Sequence, residues 1–594
     1  MIFRRSWIPL ASACAVATIG LAHGQEYEVR KELNVRVPMR DGVEMSLDIY
    51  RPQADGGFPT ILNRTPYDNN RHFASGMKYA RQGYVYITSD ARGRHDSDGE
   101  WVPVMNEADD GFDTQEWIGA QPWSDRNICT TGGSYEGWTQ WMPAPQDSKY
   151  LTCMLPEVAP PHLFRNLPYE NGVPFMFIAN WMLIMDGRTM QIRGRSLREI
   201  FLEAFFEDLY DWDRIQWTLP LKDLDNAAGY DIPWWDDWME HDSYDAFWDR
   251  ADYQARIARI DVPVYQISSW YDHDFPGTFL NFPLIESHGH PDARKHQKML
   301  ITPFGHWYYL QTDGRFGSMD FGPGSVVDAD RERQRWFDHW LKGIDNGIMD
   351  EPRVKVFVMG ANQWRTADTW PLPETEYHEW YLSSGGHANT LHGDGKLTTE
   401  PPRNEERQDR YRYDPADPAP SAPPLDPPVS IMGPEDLRPI HSRNDVLVYQ
   451  TDPLDEPIEV VGPVTLKLHA ASSALDTDWF VRLSDVHPDG YAMRLGHGVL
   501  RARFRNSISA PEPLEPGKAY EYTIDVWPTG NRFRKGHRIR LDVTSSAFPL
   551  FARNLNTGRN NQTTTEMVVA EQTVLHGLSH PSRLILPVVP IREQ

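Results

Sequence analysis

The sequence has 594 residues and a formal net charge of −25, and 40% of its residues are hydrophobic. A chain of this length exceeds a single hydrophobic core, so about two to four compact domains are expected. The acidic excess argues against binding to nucleic acid or to anionic lipid through a general positive field.

The N-terminus has the parts of a secretory leader. Arg4 and Arg5 precede an apolar run over residues 8–21, and Ala22-His23-Gly24 offers the small residues of a cleavage site. We expect residues 1–24 to be a signal peptide, with an uncleaved N-terminal anchor as the alternative. The product is then secreted or periplasmic, without membrane contact after cleavage, because no later segment reaches about 18 apolar residues.

Strand and helix patterns alternate from residue 25 to residue 159. Helices are predicted over residues 73–81 and 107–120, and strands over residues 43–50, 59–63, 84–89, 127–131 and 151–155. Repeated strand–helix units predict a parallel sheet with helices on both faces. The alternation then stops. Residues 160–258 are rich in aromatic and acidic residues, with helical spacing at residues 197–209, and we expect a helical cap there.

The sheet resumes over residues 259–350, with strands at residues 262–268 and 298–302 and a helix at residues 328–341. Residues 351–594 contain many short strand patterns without helices, which predicts a sandwich or jelly roll. Residues 385–430 are polar and proline-rich, which favours a long surface connection. The predicted strands of this part cover residues 354–358, 377–382, 445–449, 464–470, 479–483, 519–526 and 538–544.

Two cysteines remain after the leader, Cys129 and Cys153, each in a predicted buried strand. Two cysteines do not make a disulfide scaffold. We expect two buried thiols, with a single disulfide as the alternative that an oxidising compartment permits.

The stretch TTGGSYEGWTQW, residues 130–141, places Ser134 between a predicted strand and a run compatible with a helix. This is the context of a nucleophile elbow, the turn that presents a catalytic serine in α/β-hydrolases. The usual Gly-x-Ser-x-Gly pattern is displaced by one residue, because Glu136 precedes Gly137. The backbone N–H of Tyr135, at the start of the helix, is expected to face a developing oxyanion.

A serine nucleophile needs a base and an orienting acid, and each has a candidate at the end of a later strand. Asp272 follows the strand at residues 262–268, and His306 follows the strand at residues 298–302. The order serine, acid, histidine is that of α/β-hydrolases. The spacing therefore predicts the triad Ser134, Asp272 and His306.

At these motifs the sequence resembles the CocE/NonD hydrolases, relatives of cocaine esterase, α-amino-acid ester hydrolases, glutaryl-cephalosporin acylases and X-Pro dipeptidyl-peptidases. Members of the family carry Gly-x-Ser-Tyr-x-Gly, which accounts for the displaced glycine. The resemblance implies an α/β-hydrolase core with a helical cap and a C-terminal jelly roll, and it adds Tyr67 as a second oxyanion donor. It extends over nearly the whole mature chain and is carried by RTPY (64–67), DARGRHDSDGEW (90–101), GGSYEG (132–137), WYDHD (270–274) and PFGH (303–306).

The resemblance implies a serine hydrolase that cleaves small esters, amides or short peptides through an acyl-enzyme on Ser134, with no metal and no cofactor. Relatives are often homo-oligomers. Some relatives hold a free α-amino group with carboxylates, a role for which Asp274 and Glu170 are the candidates here. Trp270 is a candidate for an aromatic acyl pocket, as are Trp234 and Trp235, with core packing as the alternative. An X-Pro dipeptidyl-peptidase and a non-catalytic jelly-roll binding protein remain open.

Overall fold

The computed structural model describes residues 26–190, 211–423 and 430–592. The expected leader and the helical spacing at residues 197–209 lie outside these ranges. Within them, no helix is both long and apolar enough to cross a bilayer.

The N-terminal half is built on a ten-stranded sheet in the order β1-β2-β4-β3-β5-β6-β9-β10-β13-β14. From β4 to β13 all neighbouring strands are parallel. Two short pairs, β7 with β8 and β11 with β12, lie outside the sheet. The strands are β1 (Val29–Pro38), β2 (Glu44–Pro52), β3 (Phe58–Thr65), β4 (Val85–Asp90), β5 (Ser124–Gly133), β6 (Leu151–Glu157), β7 (Tyr169–Glu170), β8 (Val173–Pro174), β9 (Tyr265–Tyr271), β10 (Lys298–Gly305), β11 (Arg315–Phe316), β12 (Met319–Asp320), β13 (Val354–Val358) and β14 (Gln363–Ala367).

The predicted α/β core is confirmed, with helices packed against this sheet. They are Phe73–Arg81, Glu107–Gly119, Tyr135–Trp141, Pro276–His288, Pro291–His296 and Ala329–Lys342. The last helix begins after Asp328, whose side chain accepts from the N–H of Arg331, and it ends at Gly343, which has a φ of 66°. The sequence placed this helix at residues 328–341, a difference of one residue at each end.

The domain boundary expected at residue 351 stays a prediction, but the strand predicted over residues 354–358 is not part of the all-β sheet. Strand β13 pairs in parallel with β10, and β14 pairs with β13, so both strands extend the first sheet. A strand near the edge of a parallel sheet and a strand of an all-β domain can have the same local sequence pattern. Only the pairing partner shows which sheet such a strand belongs to.

A helical cap lies between β6 and β9, as expected from the sequence. In the described part of the cap, the helices are Phe177–Met185, Trp212–Ile215, Leu224–Ala228 and Pro233–Glu240. Every residue of the helix Phe177–Met185 is buried, so this helix lies in the interior of the protein.

The C-terminal half is an all-β domain of eleven strands. Residues 385–430 are not only a surface connection, because they contain the strands Lys396–Thr398 and Asp409–Tyr413. In the second of these strands Asp409, Tyr411 and Tyr413 are buried. The strands are β15 (Glu376–Ser383), β16 (Lys396–Thr398), β17 (Asp409–Tyr413), β18 (Leu447–Gln450), β19 (Ile458–Ser472), β20 (Asp478–Val486), β21 (Ala492–Arg501), β22 (Tyr520–Phe533), β23 (Arg538–Thr544), β24 (Ala570–Leu575) and β25 (Arg583–Val589).

Cys129 in β5 and Cys153 in β6 form a disulfide, so the expectation of two buried thiols is wrong. The two residues are direct partners in the parallel register of these neighbouring strands. The sequence predicted both strands but gave neither their adjacency nor their register.

Candidate active site

Ser134 occupies a strained turn between β5 and the helix Tyr135–Trp141. Its backbone has φ 61° and ψ −127°, a conformation that residues other than glycine rarely adopt. The N–H of Ser134 donates to the carbonyl oxygens of Glu157 (2.9 Å) and Val158 (3.1 Å), which fixes the turn against the end of β6. This is the geometry of a nucleophile elbow.

The displaced glycine has a packing reason. A Cβ added to Gly137 would lie 2.4 Å from the Cβ of Ala159, so the helix after the serine approaches the chain too closely for any other residue. Glu136 occupies the position before it. Its carboxylate accepts from Asn63 Nδ2 (2.9 Å) and lies 3.0 Å from His72 Nε2. Burial opposes ionisation, but the charge and hydrogen bond of His72 hold the pKa of Glu136 below its ordinary value.

His306 and Asp272 follow the parallel neighbours β10 and β9, and their side chains meet. His306 Nδ1 lies 2.7 Å from Asp272 Oδ1. Asp272 is fully buried and also accepts from Ser268 Oγ (2.8 Å) and from the N–H of Asp274 (3.0 Å). A carboxylate only accepts hydrogen bonds, so Nδ1 carries the proton and Nε2 is left as the base. His306 and Ser134 line the same cavity.

Tyr67 follows β3 and lies beside the serine. Its hydroxyl accepts from Trp181 Nε1 at 3.2 Å. Burial raises the pKa of Tyr67 above its ordinary value, and hydrogen bonds with Trp181 and Ser134 oppose the rise, so the hydroxyl remains protonated and able to donate.

The backbone N–H of Tyr135 is the part of this residue expected at the site, and its role as an oxyanion donor stays a prediction. As the first residue of its helix, it has an N–H that no earlier helical carbonyl can accept. Its hydroxyl is directed elsewhere, since it donates to Glu107 Oε1 (2.9 Å) and accepts from the N–H of Val104 (2.8 Å).

The catalytic groups open onto a cavity of about 500 Å³. One wall is aromatic and comes from the cap, through Phe177 and Trp181. Neither residue was predicted from the sequence. Their helix is apolar on every side, so its periodicity does not show which side chains face a cavity.

Asp274 lies at the catalytic centre but not on the cavity wall. Its Oδ2 is 3.9 Å from His306 Nδ1 and 3.8 Å from His273 Nε2. Burial and the charge of Asp272 raise the pKa of Asp274 well above its ordinary value, against the effect of a hydrogen bond with Ser134. Because Asp274 is buried and does not line the cavity, its expected role in binding an ammonium group stays a prediction.

Glu170 lies away from the cavity. It accepts from Trp527 Nε1 (2.8 Å) and is 3.4 Å from His497 Nε2, so it ties the cap to the all-β domain. Its proposed role in ammonium binding at the active site is wrong. Both partners lie more than 300 residues further along the chain, beyond the reach of any sequence pattern.

The three tryptophans proposed for an acyl pocket serve packing instead. Trp270 donates to the carbonyl of Phe357 (2.6 Å) and stacks on Phe279, with 5.3 Å between ring centroids. Trp234 and Trp235 are buried in the cap, and none of the three lines the cavity.

Two groups of side chains within the described ranges bring metal-ligating atoms within 4.8 Å of one another. One consists of Asp272, His273 and His306, where the acid and His306 already hydrogen bond to each other. The other contains Asp485 and His537, which are hydrogen bonded in the same way (2.8 Å), together with His487. The expectation that no metal is needed stays a prediction.

A serine on a strained elbow, with a histidine and a buried aspartate from later strands, defines the class as serine hydrolases of the α/β-hydrolase fold. Family models agree. That of the X-Pro dipeptidyl-peptidase (S15 family) matches residues 41–308, and that of the X-Pro dipeptidyl-peptidase C-terminal non-catalytic domain matches residues 346–585. Cocaine esterase of Rhodococcus sp. (strain MB1 Bresler) is 36% identical over 585 residues, which cover 94% of this chain and 98% of that protein. The chain belongs to the CocE/NonD hydrolases of the S15 type, and the resemblance seen in its motifs is confirmed.

Two solved structures are similar over nearly the full length. An aminopeptidase from the marine sediment archaeon Thaumarchaeota archaeon superposes with a TM-score of 0.79 at 26% identity, covering 99% of both chains. An α-amino acid ester hydrolase superposes with a TM-score of 0.78 at 25% identity, covering 97% of this chain and 100% of that one. The protein is therefore a serine ester hydrolase by family, and its relatives differ in what their names say they act on.

Proposed function

We propose that the protein is a carboxylesterase that prefers acyl groups without a free α-amino group. The observation that carries this proposal is the pairing of the carboxylates along the cavity. Glu136 faces His72 (3.0 Å), Glu157 is held by Arg333 through two contacts of 2.7 Å, and Asp330 faces Lys78 (3.1 Å). An ammonium group leaving water needs a carboxylate that is not already neutralised by a neighbour.

Arg71 supports the same choice, because it lines the same cavity as Tyr67 and Ser134. Burial lowers the pKa of Arg71, yet an arginine side chain remains charged at neutral pH. A positively charged residue in this cavity disfavours a cationic acyl group.

The reaction follows from the geometry. Ser134 Oγ attacks the ester carbonyl carbon while His306 Nε2 takes its proton, and Asp272 stabilises the imidazolium through Nδ1. The Tyr67 hydroxyl and the Tyr135 N–H stabilise the tetrahedral oxyanion. The proton then passes from His306 to the departing alcohol oxygen as the C–O bond breaks, and an acyl-enzyme remains. A water molecule then attacks the acyl-enzyme carbonyl in the same way, with His306 as the base. The carboxylic acid is released and Ser134 is restored.

A matched substrate pair tests the proposal. We expect kcat/KM at pH 6, where the free amine is protonated, to be at least about tenfold higher for N-acetyl-phenylglycine methyl ester than for phenylglycine methyl ester, a difference of about 1.4 kcal/mol. p-Nitrophenyl benzoate should be a good substrate and Ala-Pro-p-nitroanilide a poor one. A preference for the free amine would overturn the proposal, and rapid release from Ala-Pro-p-nitroanilide would favour the dipeptidyl-peptidase.

We further propose that the protein is exported after removal of residues 1–24. Two features support this, the leader-like N-terminus and the Cys129–Cys153 disulfide, since disulfides form and persist in oxidising compartments. The intact mass of protein recovered from the periplasm or medium should correspond to a chain that starts at Gln25. Assembly as a homo-oligomer rests on the family resemblance, and multi-angle light scattering tests it.

A further inference from the structure

A second cavity, of about 380 Å³, lies between the cap and the all-β domain. This volume is in the usual range of small-molecule sites, about 300–1,000 Å³. The cap contributes Phe177, Asn180 and Trp212 to its wall, and strand β20 contributes Phe480 and Arg482. Ser134, Asp272 and His306 do not line it.

Asn180 is the feature that points to a ligand. Its side chain is fully buried and lines the cavity, and neither its Nδ2 nor its Oδ1 has a hydrogen-bond partner. Leaving a buried polar group unpaired costs about 1–3 kcal/mol, so native structures rarely retain one without a reason. The wall of the cavity thus carries one amide group whose donor and acceptor are both unused.

The two arginines in the wall of the cavity are each paired with a buried carboxylate. The guanidinium of Arg482 lies against Asp542 (2.8 Å), and that of Arg494 lies against Glu435 (2.7 Å). Both arginines line the cavity, so an anion would find each of them already neutralised. The rest of the wall is mainly apolar, with the rings of Phe177, Trp212 and Phe480 among its members.

We propose that this cavity is a second binding site, for a small uncharged aromatic molecule whose polar end both donates and accepts hydrogen bonds. A carboxamide or hydroxyl group fits the unused donor and acceptor of Asn180, and the ring packs among the aromatic side chains. The site is separate from the catalytic cavity, although Phe177 lines both. Asn180 and Trp181 are consecutive on one helix, so their side chains leave it in different directions, one towards each cavity.

Benzamide is the probe. Calorimetric titration of protein whose Ser134 has been blocked with a fluorophosphonate should show one benzamide per chain. Benzoate at the same concentration should bind about tenfold more weakly, because both arginines of the wall are already paired with a carboxylate. Blocking the serine separates this test from the proposed function, since no turnover is involved.

Asn180→Leu removes the unpaired amide with little change in side-chain volume. We expect it to weaken benzamide binding by about tenfold or more while the melting temperature holds or rises, because two unpartnered polar atoms leave the interior. Asn180→Ala carries the same expectation for binding if the leucine variant fails to fold. Asp213→Asn is the matched control on the rim, where loss of an exposed carboxylate should leave binding of a neutral ligand unchanged.

Two results would overturn the inference. One is the absence of benzamide binding to the phosphonylated protein, which would mean that only the catalytic cavity takes the ligand or that neither does. The other is binding that survives both Asn180 variants undiminished, which would place the ligand elsewhere.

Discussion

Replacement of Tyr67 by phenylalanine tests the oxyanion hole, because it removes only the hydroxyl group of the side chain. The Tyr67 hydroxyl accepts from Trp181 Nε1 at 3.2 Å, so its own proton is free to point towards the serine. Loss of one oxyanion donor typically lowers kcat by about 100- to 1,000-fold, or about 2.7–4 kcal/mol of transition-state stabilisation. KM should change by only a few fold, because the donor acts on the charge that develops during the reaction.

The same substitution leaves the indole N–H of Trp181 without its acceptor, so the free energy of unfolding should fall by about 1–3 kcal/mol. Tyr253→Phe provides the matched control. The Tyr253 hydroxyl is equally buried and accepts from Asn281 Nδ2 at 2.9 Å, but it does not line the cavity. Steady-state hydrolysis of p-nitrophenyl benzoate and urea unfolding of both variants separate catalysis from stability. A kcat for Tyr67→Phe within about fivefold of the wild-type value would refute this oxyanion hole, since it corresponds to less than about 1 kcal/mol.

Three further predictions concern the fold around the site. Gly137→Ala should destabilise the protein by about 1–3 kcal/mol in urea and lower kcat, because the new methyl group meets Ala159; a variant as stable as wild type would refute the close packing. In the double variant Cys129→Ala/Cys153→Ala the free energy of unfolding should fall by about 3 kcal/mol, as expected for a cross-link over 24 residues. Two free thiols in denatured wild-type protein would contradict the disulfide. Burial raises the pKa of Asp90 to about 7, so the folded state retains a proton that the unfolded state has released above about pH 4. Stability should therefore fall as pH rises from about 4 to 7, by at most about 1.4 kcal/mol per pH unit, and Asp90→Asn should remove this slope; equal slopes in both proteins would exclude Asp90 as its source.

The triad was predictable because parallel strands bring their carboxyl ends to one edge of the sheet. Asp272 and His306 each follow a strand with a clear apolar pattern, and the topology then brings them to hydrogen-bonding distance. Tyr67 could not be predicted from the topology. It is one of 25 tyrosines, and the residues around it in the sequence form no catalytic motif, so only the family resemblance indicated its role.

The aromatic wall of the cavity could not be predicted from the sequence, for a physical reason. Phe177 and Trp181 lie on a helix that is buried all round, where no polar face indicates orientation. The roles predicted for Glu170 and Trp270 were wrong because position along the chain does not show which distant residues a side chain contacts. Each lies close to a motif along the chain, yet the contacts that use it come from distant segments, Trp527 for Glu170 and Phe357 for Trp270.

The central claim is that Ser134 is the nucleophile of an ester hydrolase, and covalent labelling tests it most directly. Purified wild-type protein and the Ser134→Ala variant would be treated with a fluorophosphonate and examined by intact-mass and peptide mass spectrometry. Ester hydrolysis would be measured for both proteins. We predict one adduct per wild-type chain, on the peptide that contains Ser134, and neither adduct nor turnover in the variant. An adduct on another serine, or undiminished turnover by Ser134→Ala, would contradict the assignment. No adduct on active wild-type protein would exclude a serine nucleophile altogether.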